Sequence, residues 1–401
     1  MRPLLAIALL ALLLASGYSL AQPSEARVLW RVTSAEGAAF SACFGRSLYV
    51  VGYTGAGSNL SGRIEVRDPL SGELVKSYSY RGASILYSCL YTGGRLFVAG
   101  VSPDGRWIVV SFSDDLTPLR SYTGVAGYAT ALASDGRYLY VAGIDSSTAG
   151  VRVEKRDLES LKLVAAYSPR VSNTGVYSCA LGDGSLWLAG TALTPGGFTW
   201  RVEKIAANMS PLLGLRPGIA GYAFSVALSG EGLVYVTGPN GTIVLDSSGT
   251  VLAKSSVGGY KLAVVDGYIA LYAESVKPLL YLLNSTTLDV AAILELSQNP
   301  AHPTLGSVAV NHSTVYIAAA EREQQEPRWS VYAIKLDLGR KNATLPSPPP
   351  SVNTTAPPQH QEQLPPLVVV LPEAVTSLAL IIGLAVAVVA LRREKGKRTR
   401  G

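Results

Sequence analysis

One hairpin phrase recurs along the chain. It reads YSCALGDGSLWLAG at residues 177–190, YSCLYTGGRLFVAG at 87–100 and YATALASDGRYLYVAG at 128–143. In each copy an apolar run meets a Gly-containing turn and returns as a second apolar run that ends in Gly, which is the pattern of a β-hairpin. A unit of this kind cannot bury its apolar face alone, because that face needs a neighbouring unit to cover it. The repeat therefore predicts an all-β fold made of stacked antiparallel sheets.

The returning strand of the hairpin marks the repeat units. It occurs in seven places, which end at Gly52, Gly100, Gly143, Gly190, Gly238 and, as weaker copies, Tyr272 and Ala319. Each unit continues with an alternating strand such as VRVEKRD and a short fourth strand such as LVAAYS, and alternation with period 2 indicates β-structure. Units of about 44 residues match four-stranded blades, so we predict a seven-bladed β-propeller. Because the sixth unit is short, six or eight blades are alternatives.

The two ends of the repeat region complement each other. The last unit ends after its third strand, SVYAIKLD, whereas the segment RVLWRV at residues 27–32 precedes the first unit and has the pattern of an unpaired strand. If this N-terminal strand completes the last blade, two exposed sheet edges disappear at once. We therefore predict a propeller that is closed by the N-terminal strand.

A family resemblance agrees with this architecture. The phrases LYVAG, VYVTG and SLWLAG, together with the DG turns, resemble the seven-bladed β-propeller repeat families of the YVTN/SBBP type. The resemblance covers the whole repeat region and implies a propeller fold. It implies no single activity, because these families share a structural motif rather than a site.

The segments outside the repeats predict where the protein is located. Residues 1–21 combine a positive charge, an apolar core and small residues before a cleavage site, which is typical of a secretory signal peptide; an uncleaved anchor is the alternative. The propeller domain is assigned to residues 22–338, and the Pro/Ser/Thr-rich residues 339–366 predict an extended stalk. Residues 367–391 predict one transmembrane helix, and the basic tail 392–401 is of the kind that stays cytoplasmic. The sequence thus predicts a single-pass type I membrane protein with an extracellular propeller.

Sequons and charge also indicate an extracellular domain. The Asn-x-Ser/Thr sequons exceed chance and predict glycosylation at Asn59, Asn208, Asn240, Asn284, Asn311, Asn342 and Asn353. This density is more typical of an archaeal or eukaryotic surface than of a bacterial one. The charge of the exterior part is nearly balanced, which disfavours nucleic-acid binding. Three cysteines are too few for a disulfide framework.

Recurrent residues on the first strand of each unit are candidates for a site. Cys43, Cys89 and Cys179 fall at or within one residue of one repeat position, where Thr130 and Val226 stand in other units. We interpret the cysteines as small filler between blades, because corresponding atoms on adjacent inner strands are expected to lie beyond disulfide reach; a metal or redox trio is the alternative. An aromatic residue two or three positions earlier is expected to fill the wedge between blades, or else to face the channel as a ligand platform. These aromatic residues are Phe40, Tyr87, Tyr128, Tyr177, Phe224 and Tyr260.

Charged residues form no catalytic pattern. Glu65, Glu154 and Glu203 alternate with basic residues in the third strands and are expected to form solvated cross-strand pairs. Asp145 and Asp246 lie in loops that are typical of Asx-turns rather than of calcium loops. The three histidines belong to no known catalytic or metal-binding motif. The sequence therefore predicts no catalytic residue, no metal and no cofactor.

The predicted function is a noncatalytic, glycosylated cell-surface propeller that binds an envelope protein, a polysaccharide or a matrix component. The stalk, the anchor and the balanced charge favour this role over others. The alternative is a membrane-anchored extracellular enzyme, such as a propeller lactonase, a glycan lyase or a quinoprotein-like dehydrogenase. Its site would collect side chains from several blades at one mouth of the channel. A signalling receptor is a third hypothesis, which the short tail disfavours.

Overall fold

The computed structural model describes residues 25–55, 59–169, 173–274, 277–299, 307–323 and 326–338. The predicted signal peptide, stalk, transmembrane helix and tail lie outside these residues, as do the sequons at Asn342 and Asn353. Among the described residues, no helix is long and apolar enough to cross a membrane. Every regular element in these ranges is a β-strand, as the alternating pattern predicts.

Twenty-six strands make up the described part of the chain. In chain order they are β1 (Glu25–Phe44), β2 (Leu48–Thr54), β3 (Ser61–Arg67), β4 (Leu74–Tyr80), β5 (Ile85–Thr92), β6 (Arg95–Val101), β7 (Arg106–Phe112), β8 (Pro118–Ser134), β9 (Tyr138–Asp145), β10 (Gly150–Asp157), β11 (Leu163–Tyr167), β12 (Thr174–Gly182), β13 (Ser185–Thr194), β14 (Gly197–Ala206), β15 (Pro211–Leu215), β16 (Ser225–Leu228), β17 (Val234–Gly238), β18 (Gly241–Leu245), β19 (Val251–Ser255), β20 (Lys261–Val265), β21 (Tyr268–Glu274), β22 (Pro278–Asn284), β23 (Val290–Glu295), β24 (Ser307–Asn311), β25 (Thr314–Glu323) and β26 (Glu326–Asp337).

Strands that follow one another in sequence are neighbours in the sheets. Three sheets have four strands each, in the orders β12-β13-β14-β15, β16-β17-β18-β19 and β20-β21-β22-β23. Two sheets have seven strands, in the orders β24-β25-β26-β1-β2-β3-β4 and β11-β10-β9-β8-β7-β6-β5. Paired strands are antiparallel, and short turns join them, so the hairpin pattern of the sequence is confirmed.

Each seven-stranded sheet contains one long strand whose two halves pair with different strands. β1 pairs with β26 through residues 25–36 and with β2 through residues 37–44. β8 likewise changes partner from β7 to β9 between Ala126 and Gly127. The change occurs at a glycine with a positive φ in both strands, 131° at Gly37 and 128° at Gly127, which is a conformation that residues with a Cβ rarely adopt. Each long sheet is therefore two four-stranded segments joined by a continuous strand.

The N-terminal half of β1 pairs along its length with the last strand. The paired residues run from Glu25 opposite Asp337 to Glu36 opposite Arg328. This pairing covers residues 27–32, so the prediction that the N-terminal segment completes the last four-stranded unit is confirmed. It also covers the edge that β26 would otherwise expose.

A buried ion pair reinforces this junction. Glu321 in β25 is fully buried, and Arg31 in β1 donates to its carboxylate from Nε at 3.0 Å and also from Nη2. Tyr332 in β26 and Ser297 donate to the same carboxylate. Burial raises the pKa of Glu321, but the hydrogen bonds from Tyr332, Ser297 and Arg31 outweigh it and leave the pKa below its ordinary value. The carboxylate is therefore ionised and held from β1 and β26 together.

The first strands of successive units contact one another in a closed series, and we call them the inner strands. β1 contacts β5, β5 contacts β8, and the series continues through β12, β16, β20 and β24, which contacts β1 again. Apolar side chains fill the spaces between neighbouring sheets; in one cluster Ile64 and Val66 pack with Val98 and Val110. The core therefore lies between the sheets, as the stacking of repeated units predicts.

The glycine that ends each returning strand is explained by a close approach of the inner strand. A Cβ at Gly52 would lie 1.9 Å from the carbonyl oxygen of Ala38, and one at Gly190 would lie 1.9 Å from that of Gly175. The same obstruction occurs at Gly100, Gly143 and Gly238. A register shift follows directly in the inner strands β1, β5, β8 and β12, which identifies a β-bulge at this level. No larger residue fits without moving the backbone, so the repeated glycine is a packing requirement.

Candidate functional site

The inner strands surround a cavity of about 200 Å³, which we call the central cavity. All seven of them, β1, β5, β8, β12, β16, β20 and β24, contribute lining residues. Hydroxyl, aromatic and aliphatic side chains, two cysteines and one lysine line it. Pockets for drug-sized ligands usually measure about 300–1,000 Å³. The central cavity therefore suits water molecules or a ligand of a few atoms.

One position of the inner strands carries serine in five units. Strand pairing aligns Ser41, Ser88, Ser178, Ser225 and Ser307, and we call them the inner serines. The other two units have Ala131 and Lys261 at this position. All seven residues line the central cavity, which makes this level of the inner strands its polar wall.

Four inner serines connect neighbouring sheets. Their Oγ atoms accept hydrogen bonds from backbone N–H groups of the next inner strand: Ser41 from Cys89 (3.2 Å), Ser178 from Val226 (3.2 Å), Ser225 from Leu262 (3.3 Å) and Ser307 from Ala42 (3.0 Å). The same bond thus repeats around the cavity. A serine that accepts in this way keeps its own hydroxyl hydrogen for another acceptor.

Lysine replaces serine in β20. The Nζ atom of Lys261 donates to the carbonyl oxygen of Phe224 at 3.0 Å and to that of Tyr177 at 3.4 Å. These two residues directly precede Ser225 and Ser178, so the ammonium group reaches across to the backbone of two other inner strands. Within the described ranges, no Asp or Glu side chain lines the cavity.

Burial shifts the pKa values of the groups around this lysine. Desolvation lowers the pKa of Lys261 to about 8, and it raises the pKa of the nearby Cys179 thiol to about 12. Burial also raises the pKa of Tyr87 and of Tyr177. At pH 7 the lysine is therefore mainly protonated, whereas the thiol and both phenols are neutral. For the residues that the structure describes, the cavity lining holds one positive charge and no negative one.

Aromatic side chains form a layer next to the inner serines. Ring centroids are 5.1 Å apart for Tyr177 and Phe224, 5.4 Å for Phe224 and Tyr260, 5.3 Å for Phe40 and Tyr87, and 6.3 Å for Tyr87 and Tyr128. Each contact joins residues in, or directly before, neighbouring inner strands, as expected for residues that fill the wedge between units. Phe40, Tyr87 and Tyr177 also line the cavity, so the same layer forms part of its wall.

The prediction that the cysteines cannot pair is wrong for two of them. Cys43 in β1 and Cys89 in β5 form a disulfide, with Cα atoms 5.9 Å apart. Strand pairing makes Ala42, not Cys43, the equivalent of Cys89. Because successive side chains on a strand point to opposite faces, a displacement of one residue turns Cys43 toward the neighbouring sheet. Cys179 is a free thiol.

The prediction of solvated glutamates in the third strands is also wrong. Glu65, Glu154 and Glu203 are buried, and they pair with arginines two residues away in the same strand. The ion pairs are Arg63 and Arg67 with Glu65, Arg152 and Arg156 with Glu154, and Arg201 with Glu203. Residues two apart share one face of a strand, and here that face contacts the preceding unit: Arg156 lies over the ring of Tyr122, and Tyr167 donates to Glu203. The arginines also donate to turn carbonyls, Arg67 to Gly72 and Arg156 to Leu161, so these groups fix the fold rather than form a site.

The two loop aspartates form Asx-turns, as predicted. Asp145 accepts a hydrogen bond from the backbone N–H of Ser147 at 2.9 Å. Asp246 accepts from those of Ser248 at 2.8 Å and Thr250 at 2.9 Å. In the ranges that the structure covers, no group of three His, Cys, Asp or Glu residues is arranged to hold a metal ion.

Five sequons lie within the described residues, at or next to turns. At one end of the sheets, Asn208 and Asn284 lie where the third strand of a unit joins the fourth. Asn311 lies at the same end, where the first strand of a unit joins the second. Asn59 and Asn240 lie between second and third strands, which is the opposite end of an antiparallel sheet. Asn59, Asn208 and Asn240 are exposed. The described sequons therefore occupy the two ends of the sheets and not their outermost strands.

Sequence reasoning missed the inner serines and Lys261. Their signal is an aromatic–serine dipeptide at residues 40–41, 87–88, 177–178 and 224–225, which becomes Tyr-Lys at 260–261. The cysteines are rarer and more conspicuous: Cys89 and Cys179 directly follow an inner serine and line the cavity, whereas Cys43 lies two positions after Ser41 and does not. In β8 the strand pairing also places Leu132, not Thr130, at the cysteine position.

Comparisons with known proteins identify the fold. No family model matches the chain, and no curated protein matches it. The WD40 β-propeller domain of Doa1 is similar in structure, with a TM-score of 0.57, 13% sequence identity, and coverage of 79% of this chain and 98% of that one. The computationally designed Ika8 protein is also similar, with a TM-score of 0.52, 14% identity, and coverage of 76% and 99%. The protein thus has an all-β fold that resembles a β-propeller.

Proposed function

We propose that the chain is a noncatalytic, glycosylated cell-surface protein whose seven-bladed propeller binds a protein partner through its outermost strands. The blade count is supported by the closed series of inner strands, each of which begins one four-stranded unit. Anchoring by residues 367–391 and display on the stalk 339–366 are supported by the sequence.

The observation that carries the proposal is a belt of exposed apolar side chains on the outermost strands. The outermost strand is the fourth strand of each unit, and in two units it is the N-terminal half of β1 or β8. It consists of Val28 and Leu29 in β1, Leu74 and Val75 in β4, Leu119 in β8, Leu163 and Val164 in β11, Leu212 in β15, Leu252 in β19, and Val290 and Ile293 in β23. We call these residues the apolar belt. Every outermost strand contributes to it, and Val75 is 67% exposed. Single exposed apolar residues are ordinary, but a series of them on unpaired sheet edges is typical of a surface that a partner covers.

The positions of the described sequons fit this surface. Because they lie at the two ends of the sheets, glycans attached there would project away from the apolar belt and leave it accessible. The belt contains no sequon asparagine in the part of the chain that the structure describes. Contact through the belt is therefore compatible with glycosylation at Asn59, Asn208, Asn240, Asn284 and Asn311.

The disulfide supports an extracellular location. The bond between Cys43 and Cys89 links two sheets, and such bonds form and persist mainly in oxidising compartments. The predicted signal peptide at residues 1–21 and the excess of sequons lead to the same location. Together these features support export of the propeller.

Photo-crosslinking on intact cells tests the proposed role. A photo-reactive residue at Val164 in the apolar belt is expected to capture a defined protein, and the same residue at Glu231 in an exposed turn is not. The substitution Leu163→Glu should abolish the capture, because a charge next to the probe opposes burial of the belt while changing the free energy of unfolding by only about 0.5 kcal/mol. Identical products at Val164 and Glu231, or capture that survives Leu163→Glu, would contradict binding through the belt. Capture of polysaccharide alone would identify a glycan-binding surface instead.

A further inference from the structure

Lys261 occupies a position where the fold itself needs no charge. Serine meets the structural requirement there, because its Oγ accepts an N–H group from the next inner strand in four places. Lysine has no acceptor atom and cannot make that bond. Lys261 is half-buried, and holding its ammonium group in the cavity wall without a counter-ion costs part of its hydration free energy. The repeat does not explain why lysine replaces serine at this position, whereas binding of a negatively charged ligand does.

Three hydrogen-bond donors face the central cavity from consecutive inner strands. The ammonium group of Lys261 has three N–H donors, and the carbonyl oxygens of Phe224 and Tyr177 accept two of them. Ser178 and Ser225 each accept a backbone N–H, and their hydroxyl hydrogens have no acceptor among the described residues. β12, β16 and β20 therefore each present one remaining donor, from Ser178, Ser225 and Lys261.

Charge and volume define what these donors can bind. The described lining includes no carboxylate that could pair with Lys261, and the other titratable groups of the wall, Cys179, Tyr87 and Tyr177, stay neutral near pH 7. A cavity of about 200 Å³ corresponds to roughly seven water volumes of about 30 Å³ each. It therefore has room for an anion of a few heavy atoms and some water.

We propose that the central cavity binds a small oxyanion, either a carboxylate or an inorganic anion such as sulfate, through the ammonium group of Lys261 and the hydroxyl groups of Ser178 and Ser225. Oxyanions accept several hydrogen bonds at once, and those from a charged donor are the stronger ones. This site is distinct from the apolar belt, so the oxyanion site and the proposed partner binding can each fail without the other.

Calorimetric titration of the purified full-length chain with sodium acetate and with sodium sulfate tests the proposal. The two salts distinguish a carboxylate from an inorganic anion, and sodium chloride at matched ionic strength is the reference. We expect saturable binding of at least one oxyanion with a Kd of about 1 mM or lower at neutral pH. Absence of saturable binding by both salts would overturn the proposal.

Variants at the lysine provide the matched comparison. Lys261→Met removes the charge at similar length, and Lys261→Ser restores the residue of the other units. Both are expected to weaken binding at least about tenfold, which equals about 1.4 kcal/mol. Lys254→Ser on the exposed face of β19 is the control and should leave the Kd unchanged. Equal affinity of Lys261→Met and the unmodified chain would overturn the proposal.

A proton-linkage measurement keeps the test valid if these variants do not fold. An anion next to Lys261 favours its protonated form, so binding at about pH 8 should take up protons from the buffer, and binding at about pH 6 should take up almost none. Titrations in buffers with different ionisation enthalpies measure this uptake on the unmodified chain. Neither acetate nor sulfate titrates in that range. Saturable binding without proton uptake at about pH 8 would place the anion away from Lys261 and overturn the proposal.

Discussion

Arg31 in the first strand forms an ion pair with Glu321, a residue 290 positions later in the chain. Glu321 is fully buried, and the strand between them, β26, contributes the hydroxyl group of Tyr332 to the same carboxylate. The pair therefore connects the N-terminal half of β1 to the last unit by side chains as well as by backbone hydrogen bonds.

Loss of this ion pair should destabilise the protein. Arg31→Ala removes the charge that balances a buried carboxylate, so we expect the free energy of unfolding to fall by roughly 2–3 kcal/mol. This is less than for a fully buried pair, because the Arg31 side chain is 35% exposed. Denaturant unfolding measures the change. Arg27→Ala in the same strand is the control, since its pair with Asp337 is exposed and should contribute less than about 1 kcal/mol. Equal effects of the two substitutions would show that Glu321 does not depend on Arg31.

The same carboxylate should make stability depend on pH. The pKa of Glu321 is lower in the folded state than its ordinary value, so its contribution is complete above the ordinary carboxyl pKa and disappears as the pH falls through the folded-state value. Glu321→Gln should therefore be destabilising at about pH 6, and the difference from the unmodified chain should shrink toward about pH 3. Unfolding curves over this range measure the difference. Glu295→Gln, in an exposed pair with Lys277, serves as the control; a constant difference for Glu321→Gln would exclude the linkage.

The disulfide should stabilise the folded state because it lowers the conformational entropy of the unfolded chain. Cys43 and Cys89 are 46 residues apart, and a loop of this size predicts a loss of roughly 4 kcal/mol when both are replaced by serine. Cys179→Ser should change stability by no more than about 1 kcal/mol. Alkylation of the denatured chain checks the bond itself: one cysteine should react without reductant and all three with it. Three reactive cysteines without reductant would contradict the pairing.

The repeated glycine should tolerate no side chain. Gly190→Ala places a Cβ 1.9 Å from the carbonyl oxygen of Gly175, so we expect destabilisation of at least about 2 kcal/mol. Gly214→Ala in the outer strand β15 is the matched control, because nothing lies within 4 Å of its Cβ. That substitution should be neutral or slightly stabilising, by about 0.4–1 kcal/mol, since it restricts the unfolded chain. Thermal unfolding of both variants provides the comparison, and a neutral Gly190→Ala would contradict the close approach.

The architecture was predictable because its signals are local. The hairpin phrase at residues 177–190 contains its own turn and its own alternation, and the missing fourth strand after residue 337 matches the extra strand at residues 27–32. These features depend on short stretches of sequence and on the need to pair sheet edges.

The side-chain contacts were not predictable because they depend on register and on the neighbouring sheet. Cys43 lies one residue further along β1 than Cys89 lies along β5, although both strands have a bulge at the same level, and a shift of one residue changes the face of the strand. Alternating Glu and Arg around Glu65 or Glu154 looks the same in sequence whether that face meets water or another sheet. The role of Lys261 becomes visible only when strand pairing aligns it with the inner serines.

The two-partner course of β1 has a consequence for biosynthesis. Residues 25–36 leave the ribosome early, but the strand that they pair with, β26, is translated about 300 residues later. Until then the nascent polypeptide carries an unmatched edge at each end of its growing row of sheets, and such edges invite intermolecular pairing. Assembly of the complete molecule must therefore wait for its last translated repeat, and a chain truncated before β26 would leave the N-terminal half of β1 without a partner.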